Sequence, residues 1–386
     1  MGDEGTMKIW VVGRGCPTVY NRMWGAFELE QARLLSKGGY DVTYISVTFS
    51  FFGRKDVRGL RTFEEDGLKV ITFSHLYFPG KTGIRLESFE EKRFDRVYRE
   101  AEDISGVPDV IHVHYPSMLG GTAAVERYRQ RGVKIVVTEH WSRVLNKRLS
   151  AFEKENLRYY VRNSDCLISV STALLNSIKE LVGSAVNSNV IPNVAAPCFF
   201  EEGDIEEGLS EKDDVFTFIC VGRFAAVKQF DVIAKCFKES FKDDDKVRLK
   251  FIGTGERFGK VKKICEGDAR ISFAGTLEKG ELSKAVKASD ALVSFSRYET
   301  FAVPVIEAWA CGKPVIVSGS SGVSEYADEG RGIVVPAEDS SRLCKAFQDM
   351  YRLRDNYNPK GIRKYAEDNF SSDAVRSALE EVYSKL

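Results

Sequence analysis

The feature that most constrains this chain is an alternation of continuous apolar strands with helical segments, which runs through the first half, stops, and begins again. In the first half, strands read at KIWVVG, DVTYIS, DVIHVHY, KIVVTEH, CLISVS and NVIP. Helical patterns lie between them, notably GAFELEQARLLSKGG and GGTAAVERYRQRG, each ending in a glycine suited to close a helix. Strands that are apolar on both faces and separated by helices form a parallel sheet covered on both sides. The stretch VIPNVAAPCFFEEGDIEEGLSEKDD interrupts the pattern with two prolines, an acidic run and little periodicity, and reads as a linker. The alternation then resumes with FTFICVG, a helix from Lys228, RLKFIG, RISFAG, the helix LEKGELSKAVKAS, DALVSFS, a short helix opened by Pro304, PVIVSG and GIVVP. A helix-rich tail follows from about Asp339.

A chain of 386 residues suits two domains rather than one core. The expected architecture is α/β, with two doubly wound, Rossmann-like domains facing each other across a cleft. The expected boundaries are 1–195 and 196–369, with a C-terminal helix at about 370–386 packing back on the first domain. Ligands of such sheets meet the C-terminal ends of the strands. Lysine plus arginine equals aspartate plus glutamate at 56 each, so no global field recruits nucleic acid and anion binding has to be local. Eight scattered cysteines without a CxxC pair point to a reducing, cytoplasmic setting.

The second half carries the chemistry. VGRFAAVKQF places Arg223 just after a strand and Lys228 five residues later, a fork and a point charge at a strand–helix junction suited to grip a diphosphate. The plainer alternative is that both are solvated. Further on, RYETFAVPVIEAWACGKPVIV holds Glu299 and Glu307 with seven residues between them. The turn Thr300–Val303 opens a helix whose first N–H groups form a ready anion site. Glu299 and Glu307 are placed to accept hydrogen bonds from sugar hydroxyls and a ribose diol, against the alternative of a cap and a solvent-facing carboxylate.

These residues together resemble glycosyltransferase family 4. The match rests on ETFAVPVIEAWACGKPVIVSGSSGVSEYADEGRGIVVPAED, with VGRFAAVKQFDVIAKCF, FIGTGE and VIPN falling in order along the chain. The resemblance implies a GT-B fold, a nucleotide-sugar donor held by the second domain, and transfer with retention of anomeric configuration. Carried over by position, Arg223 and Lys228 would hold the diphosphate and Glu307 the ribose. Glu299 would hold the transferred sugar, and the backbone of Phe301 and Ala302 would lie near the diphosphate. Thr276 and Leu277 of FAGTLEK would lie near the base. The family usually has glycine where Ala302 stands, so the local turn is expected to differ slightly if that position needs a positive φ.

In the first half, His112 and His114 share one face of DVIHVHY, and His140 ends another strand. A zinc site on these three lacks supporting partners, and a satisfied core histidine is the default for His112. By resemblance, His140 sits close to the donor sugar and counts with Glu299, Arg223 and Lys228 among the catalytic candidates. His114 and Glu139 are acceptor-side candidates. So are Gly15 and Gly25 of the loop GRGCPTVYNRMWGAF, whose glycines permit close approach to a ligand but form no dinucleotide fingerprint.

The family-like mechanism is front-face attack by the acceptor hydroxyl. Arg223, Lys228 and the helix N-terminus supply the positive charge, so no metal or other cofactor is expected. The expected donor is a uridine diphosphate sugar and the expected acceptor a glycan or polyprenyl-linked glycan. The basic, aromatic-bearing segments SFFGRKDVRGLR and WSRVLNKRLSAFEKENLRYYVR suggest peripheral contact with an anionic inner membrane face. An epimerase or a non-catalytic nucleotide-sugar-binding protein on the same fold is the alternative.

Overall fold

The computed structural model describes residues 6–17, 24–50, 59–76, 87–183, 186–201 and 215–386. Most of SFFGRKDVRGLR and the acidic part of the linker lie outside them. The chain divides into two compact units, residues 1–191 with 378–386, and residues 192–377.

The first unit contains β1 (Lys8–Gly13), α1 (Ala26–Lys37), β2 (Asp41–Ser50), β3 (Gly59–Glu65), β4 (Leu68–Leu76), α2 (Glu87–Ser105), β5 (Val110–His114), α3 (Thr122–Arg129), β6 (Lys134–Glu139), α4 (Ser142–Leu145), α5 (Ala151–Asn163), β7 (Cys166–Ser169), α6 (Thr172–Val182) and β8 (Ser188–Val190). Its sheet runs β3-β4-β2-β1-β5-β6-β7-β8 among the described residues. All neighbours are parallel except β3 and β4. The central strands β1 and β5 are buried almost end to end, as strands with a layer on each face must be.

The hairpin β3–β4 was not expected from the apolar pattern. Asp66 (φ 51) and Gly67 (φ 76) form a two-residue turn with both φ positive, the geometry that matches strand twist. Its edge strand GLRTFEE is largely polar and exposed, which guards the sheet edge.

The second unit contains β9 (Phe216–Val221), α7 (Phe230–Ser240), β10 (Val247–Ile252), α8 (Phe258–Cys265), β11 (Ile271–Phe273), α9 (Lys279–Lys287), β12 (Ala291–Ser294), α10 (Val303–Ala310), β13 (Val315–Ser318), β14 (Gly332–Val335), α11 (Ser340–Arg352) and α12 (Pro359–Phe370). Its sheet runs β11-β10-β9-β12-β13-β14 and is all parallel. A phenylalanine-rich core, including Phe218, Phe224, Phe237, Phe251 and Phe347, fills the space between sheet and helices. The stretch read as linker does not start as one. Phe199 is fully buried, and the Ala195 N–H donates to the Phe370 carbonyl at 2.9 Å, so residues 192–200 belong to the second unit's packing. The last helix, α13 (Ser372–Tyr383), crosses the boundary; its end carries Tyr383 into the first unit's core.

Both sheets reverse their winding once. In the first the reversal lies between β1 and β5, and in the second between β9 and β12. At such a point the loops after neighbouring strands splay apart, leaving a crevice beyond the strand C-termini.

Candidate active site

In the second unit the chain leaves β9 through Gly222 and Arg223. Gly253, with φ 123, faces this loop so closely that a Cβ there would stand 2.0 Å from the Gly222 carbonyl oxygen. The Phe224 N–H donates to the Thr254 carbonyl at 2.9 Å, and the Arg257 N–H to the Phe224 carbonyl at 2.8 Å. The GTG turn is therefore glycine-rich because two backbones touch. Arg223 projects from this joint, 75% exposed, with its guanidinium 3.1 Å from the Glu256 carboxylate. Thr276 is tied to the same loop: its Oγ1 lies 3.4 Å from Thr254 Oγ1, and the Gly253 N–H donates to the Gly275 carbonyl at 2.6 Å. Leu277, the next residue, is half-buried.

The helix expected from Lys228 begins two residues later. Ala226–Lys228 make a single 3-10 turn, and Gln229 takes the left-handed conformation (φ 51). Its buried amide donates to the Phe295 carbonyl at 3.0 Å, which ties the start of α7 to the end of β12 and prevents the helical ladder from starting earlier. Lys228 is thereby left beside Glu299, and its Nζ pairs with Glu299 Oε1. Ser296 Oγ donates to the other oxygen, Oε2, at 2.9 Å. The pair is about four-fifths buried, so each charge depends on the other.

The backbone around Glu299 is clamped by the SGSSG loop after β13. The Glu299 N–H donates to the Ser320 carbonyl (3.3 Å), and the Gly322 N–H to the Glu299 carbonyl (2.9 Å). The Phe301 carbonyl accepts from the Val323 N–H (3.0 Å) and from Ser321 Oγ (3.2 Å). The Phe301 ring itself is core, 6.0 Å from Tyr326 and 6.1 Å from Phe370, so only its backbone is available to a ligand. Ala302 adopts φ 76, ψ 70 and caps α10. The turn does not depart from a left-handed geometry because glycine is missing; alanine is held there at a cost of about 1–2 kcal/mol. In the first turn Pro304 carries no N–H and the Val305 N–H donates to the Ala302 carbonyl at 3.0 Å, which leaves the N–H groups of Ala302 and Val303 at the helix start.

Glu307, one turn into α10, is 8% exposed rather than solvent-facing. Burial pushes its carboxyl up to about 7, and nearby Lys279 only partly offsets this. Glu307 is thus a carboxyl group largely cut off from solvent.

In the first unit, the C-terminal ends of β1, β5 and β6 bring Arg14, His114, Tyr115, Glu139 and His140 together. Tyr115 leaves β5 with φ 54, and its ring stacks on His140 at 4.9 Å. Arg14 covers the Tyr115 ring at 3.8 Å and bonds the buried Glu28 carboxylate at 2.9 Å. Glu139, fully buried, spans two loops. Its Oε1 accepts from the His140 and Trp141 N–H groups at 2.9 Å each, and its Oε2 from the Ser117 N–H (3.2 Å) and Ser117 Oγ (2.6 Å). Burial raises its pKa and these four bonds lower it. His114 Nδ1 lies 3.0 Å from His140 Nε2. His112 is a satisfied core histidine, bonded to Tyr383 Oη (2.7 Å) and Thr138 Oγ1 (2.6 Å).

Gly15 and Gly25 pack against each other. Gly25 (φ 76) caps α1, and a Cβ there would stand 1.9 Å from the Gly15 carbonyl oxygen; one on Gly15 would stand 2.1 Å from the Trp24 ring. Their glycines are required by the loop's packing on itself. Among the described residues no group of three or more His, Cys, Asp or Glu side chains is arranged to hold a metal ion. Along Trp141–Arg162, Arg143 pairs with Glu153, Lys147 with Glu180 and Arg158 with Glu155, so the basic surplus there is partly neutralised. No helix among the described residues is long and apolar enough to cross a membrane.

Residues 202–368 match the family model of glycosyl transferases group 1, and residues 28–195 match that of glycosyltransferase family 4. The chain belongs to glycosyltransferase family 4. It is 24% identical over 288 residues to N-acetyl-alpha-D-glucosaminyl L-malate synthase of Bacillus anthracis, covering 71% of this chain and 74% of that one. It is 24% identical over 291 residues to D-inositol 3-phosphate glycosyltransferase of Thermobifida fusca, covering 68% and 67%. Among solved structures, sucrose-phosphate synthase of Thermosynechococcus elongatus superposes with a TM-score of 0.76 at 19% identity over 98% of both chains. Anabaena HepE in complex with UDP-glucose superposes at 0.71 and 17% identity, over 98% of this chain and all of that one. The fold is GT-B, and the protein is a glycosyltransferase acting on nucleotide sugars.

Sequence reasoning missed Ser296, Lys279, the SGSSG clamp, Arg14, Tyr115 and Ser117. The serines ending DALVSFS and filling SGSSG at strand exits were the available signal.

Proposed function

We propose that this glycosyltransferase moves a hexosyl group from a uridine diphosphate sugar, with retention of configuration, to a hydroxyl of a glycan or lipid-linked glycan. The observation that carries the reading is the Lys228–Glu299–Ser296 cluster beside the N-terminus of α10 at the second sheet's winding reversal. In this reading the diphosphate draws Lys228 away from Glu299, and Arg223 away from Glu256. The freed Glu299 carboxylate accepts from sugar hydroxyls, while Glu307 accepts both ribose hydroxyls. Each such charge-assisted bond contributes about 1.5–3 kcal/mol. Charge on the departing diphosphate is stabilised by Arg223, Lys228 and the α10 N–H groups, and the acceptor hydroxyl attacks from the same face. A metal ion has no role in this scheme, and undiminished turnover in chelator is expected. The structures of Anabaena HepE in complex with UDP and with UDP-glucose support uridine as the base. Contact with an anionic membrane face fits a lipid-linked acceptor.

The test is a panel of nucleotide sugars screened for thermal stabilisation of wild type, Arg223→Ala and Glu307→Ala. Ligand at 100 times its dissociation constant adds about 2.7 kcal/mol. Stabilisation by one uridine diphosphate sugar, weakened in both variants, is expected. Stabilisation by none, or equally in all three proteins, refutes the donor site. The anomeric proton of the product reads retention directly.

A further inference from the structure

The segment that carries Lys228 is fastened to the exit of β12 by two hydrogen bonds. The Arg297 N–H donates to the Val227 carbonyl at 2.8 Å, and the Gln229 side-chain amide donates to the Phe295 carbonyl at 3.0 Å. The two bonds flank Lys228 on one segment and Ser296 on the other, and these are the residues that bond the Glu299 carboxylate. The Lys228 stem lies along the end of β9: a Cβ on Gly222 would stand 3.5 Å from Lys228 Cε. Of the two bonds only the second comes from a side chain, so it is the one that the choice of residue decides.

Gln229 is poorly matched to the local demands of its position. It stands at the N-cap of α7, yet its side chain caps no N–H of that helix, and its φ of 51 suits glycine or asparagine better. Asparagine would meet both demands, as a good N-cap that tolerates the left-handed region. Its amide is one methylene short, and glutamine supplies the reach to Phe295. The amide is oriented from both ends. The Phe295 carbonyl takes only a donor, while Oε1 faces Arg297 Nε, a donor, at 3.5 Å. Arg297 is itself held by Glu338 at 3.0 Å. With Gln229 4% exposed, the amide is closed to ligands, and its influence on the site passes through its neighbour. A strained backbone kept for a side chain that does not serve its own helix points to a role in the site.

We propose that Gln229 is a positioning residue whose side-chain amide, bonded to Phe295, holds Lys228 in place to receive the donor diphosphate. The inference rests on the reading that Lys228 grips that diphosphate. Without the amide bond Lys228 spreads over more positions, and both its pairing with Glu299 and its grip on the diphosphate weaken.

The experiment uses Gln229→Asn and Gln229→Gly in the intact enzyme, since both residues accept φ 51 and neither reaches Phe295. The first arm needs no ligand. A Lys228→Met/Glu299→Gln cycle in urea is run in wild type and in each variant, and the coupling, read as a ratio of unfolding constants, is expected to fall at least about fivefold. In the second arm UDP affinity is measured by titration calorimetry. It is expected to fall about tenfold in each variant, while the melting temperature of Gln229→Asn stays within about 3 °C of wild type. In a Lys228→Met background the same substitutions should change UDP affinity by less than about twofold, which a merely structural role would not produce. Undiminished coupling, undiminished UDP affinity, or a loss equally large without Lys228 overturns the proposal. A wild type that binds no UDP refutes the donor reading instead, and the first arm still decides whether Gln229 holds Lys228.

Discussion

Replacing Glu307 by glutamine removes an ionisable group that the fold buries at a cost. The carboxyl is 8% exposed and titrates at about 7 instead of 4.5. With a folded-state value above the unfolded one, the carboxyl costs the folded protein nothing below pH 4.5, and the penalty builds as pH rises from 4.5 to about 7 and levels off above it. Linkage puts the penalty at about 1 kcal/mol at about pH 5.5 and about 3 kcal/mol at about pH 8.5. Glu307→Gln keeps the shape and loses the ionisation. It should be more stable than wild type at the higher pH by several degrees in melting temperature, with a smaller gain at the lower pH. The assay is a melting curve of both proteins across that range without nucleotide. Donor binding should move the opposite way, because an ionised Glu307 is the better acceptor for ribose hydroxyls. Wild-type affinity should fall as pH drops below about 7, and the variant should bind at least tenfold more weakly at pH about 8. A variant no more stable than wild type at the higher pH, or a stability gain that does not grow with pH, would refute the reasoning. It would mean that Glu307 already has a partner for its charge.

Three further outcomes are expected. Lys228→Met leaves Glu299 with Ser296 as its remaining described partner and should cost about 2–4 kcal/mol, much of it recovered in Lys228→Met/Glu299→Gln, as a double-mutant cycle by urea denaturation would read. Ser296→Ala should lower kcat/KM about fivefold to tenfold, with stability changed by about 1 kcal/mol, because Glu299 keeps Lys228 but loses the bond that orients Oε2. Ala302→Gly should keep activity and lie within about 1 kcal/mol of wild type, since relief of the φ 76 strain is offset by a more flexible unfolded chain, whereas Ala302→Val should lose both stability and nucleotide-sugar binding.

What the sequence determined by itself is what repeats along the chain. Continuous apolar strands alternating with helices set two parallel sheets, because burial on both faces leaves a period that local composition displays. The glutamate segment and the cations after β9 were equally legible, since strand exits fall at readable places. The β3–β4 hairpin escaped because its edge strand is mostly polar, although the Asp66–Gly67 pair marked its turn. Other features belong to the tertiary structure alone. Lys228 and Glu299 pair across 71 residues, and Ser117 reaches Glu139 across 22. The burial that raises Glu307, and the clamp that holds Ala302 left-handed, arise from elements distant in sequence. A side chain's charge state and strain depend on what the fold packs around it, and spacing along the chain carries no record of those neighbours.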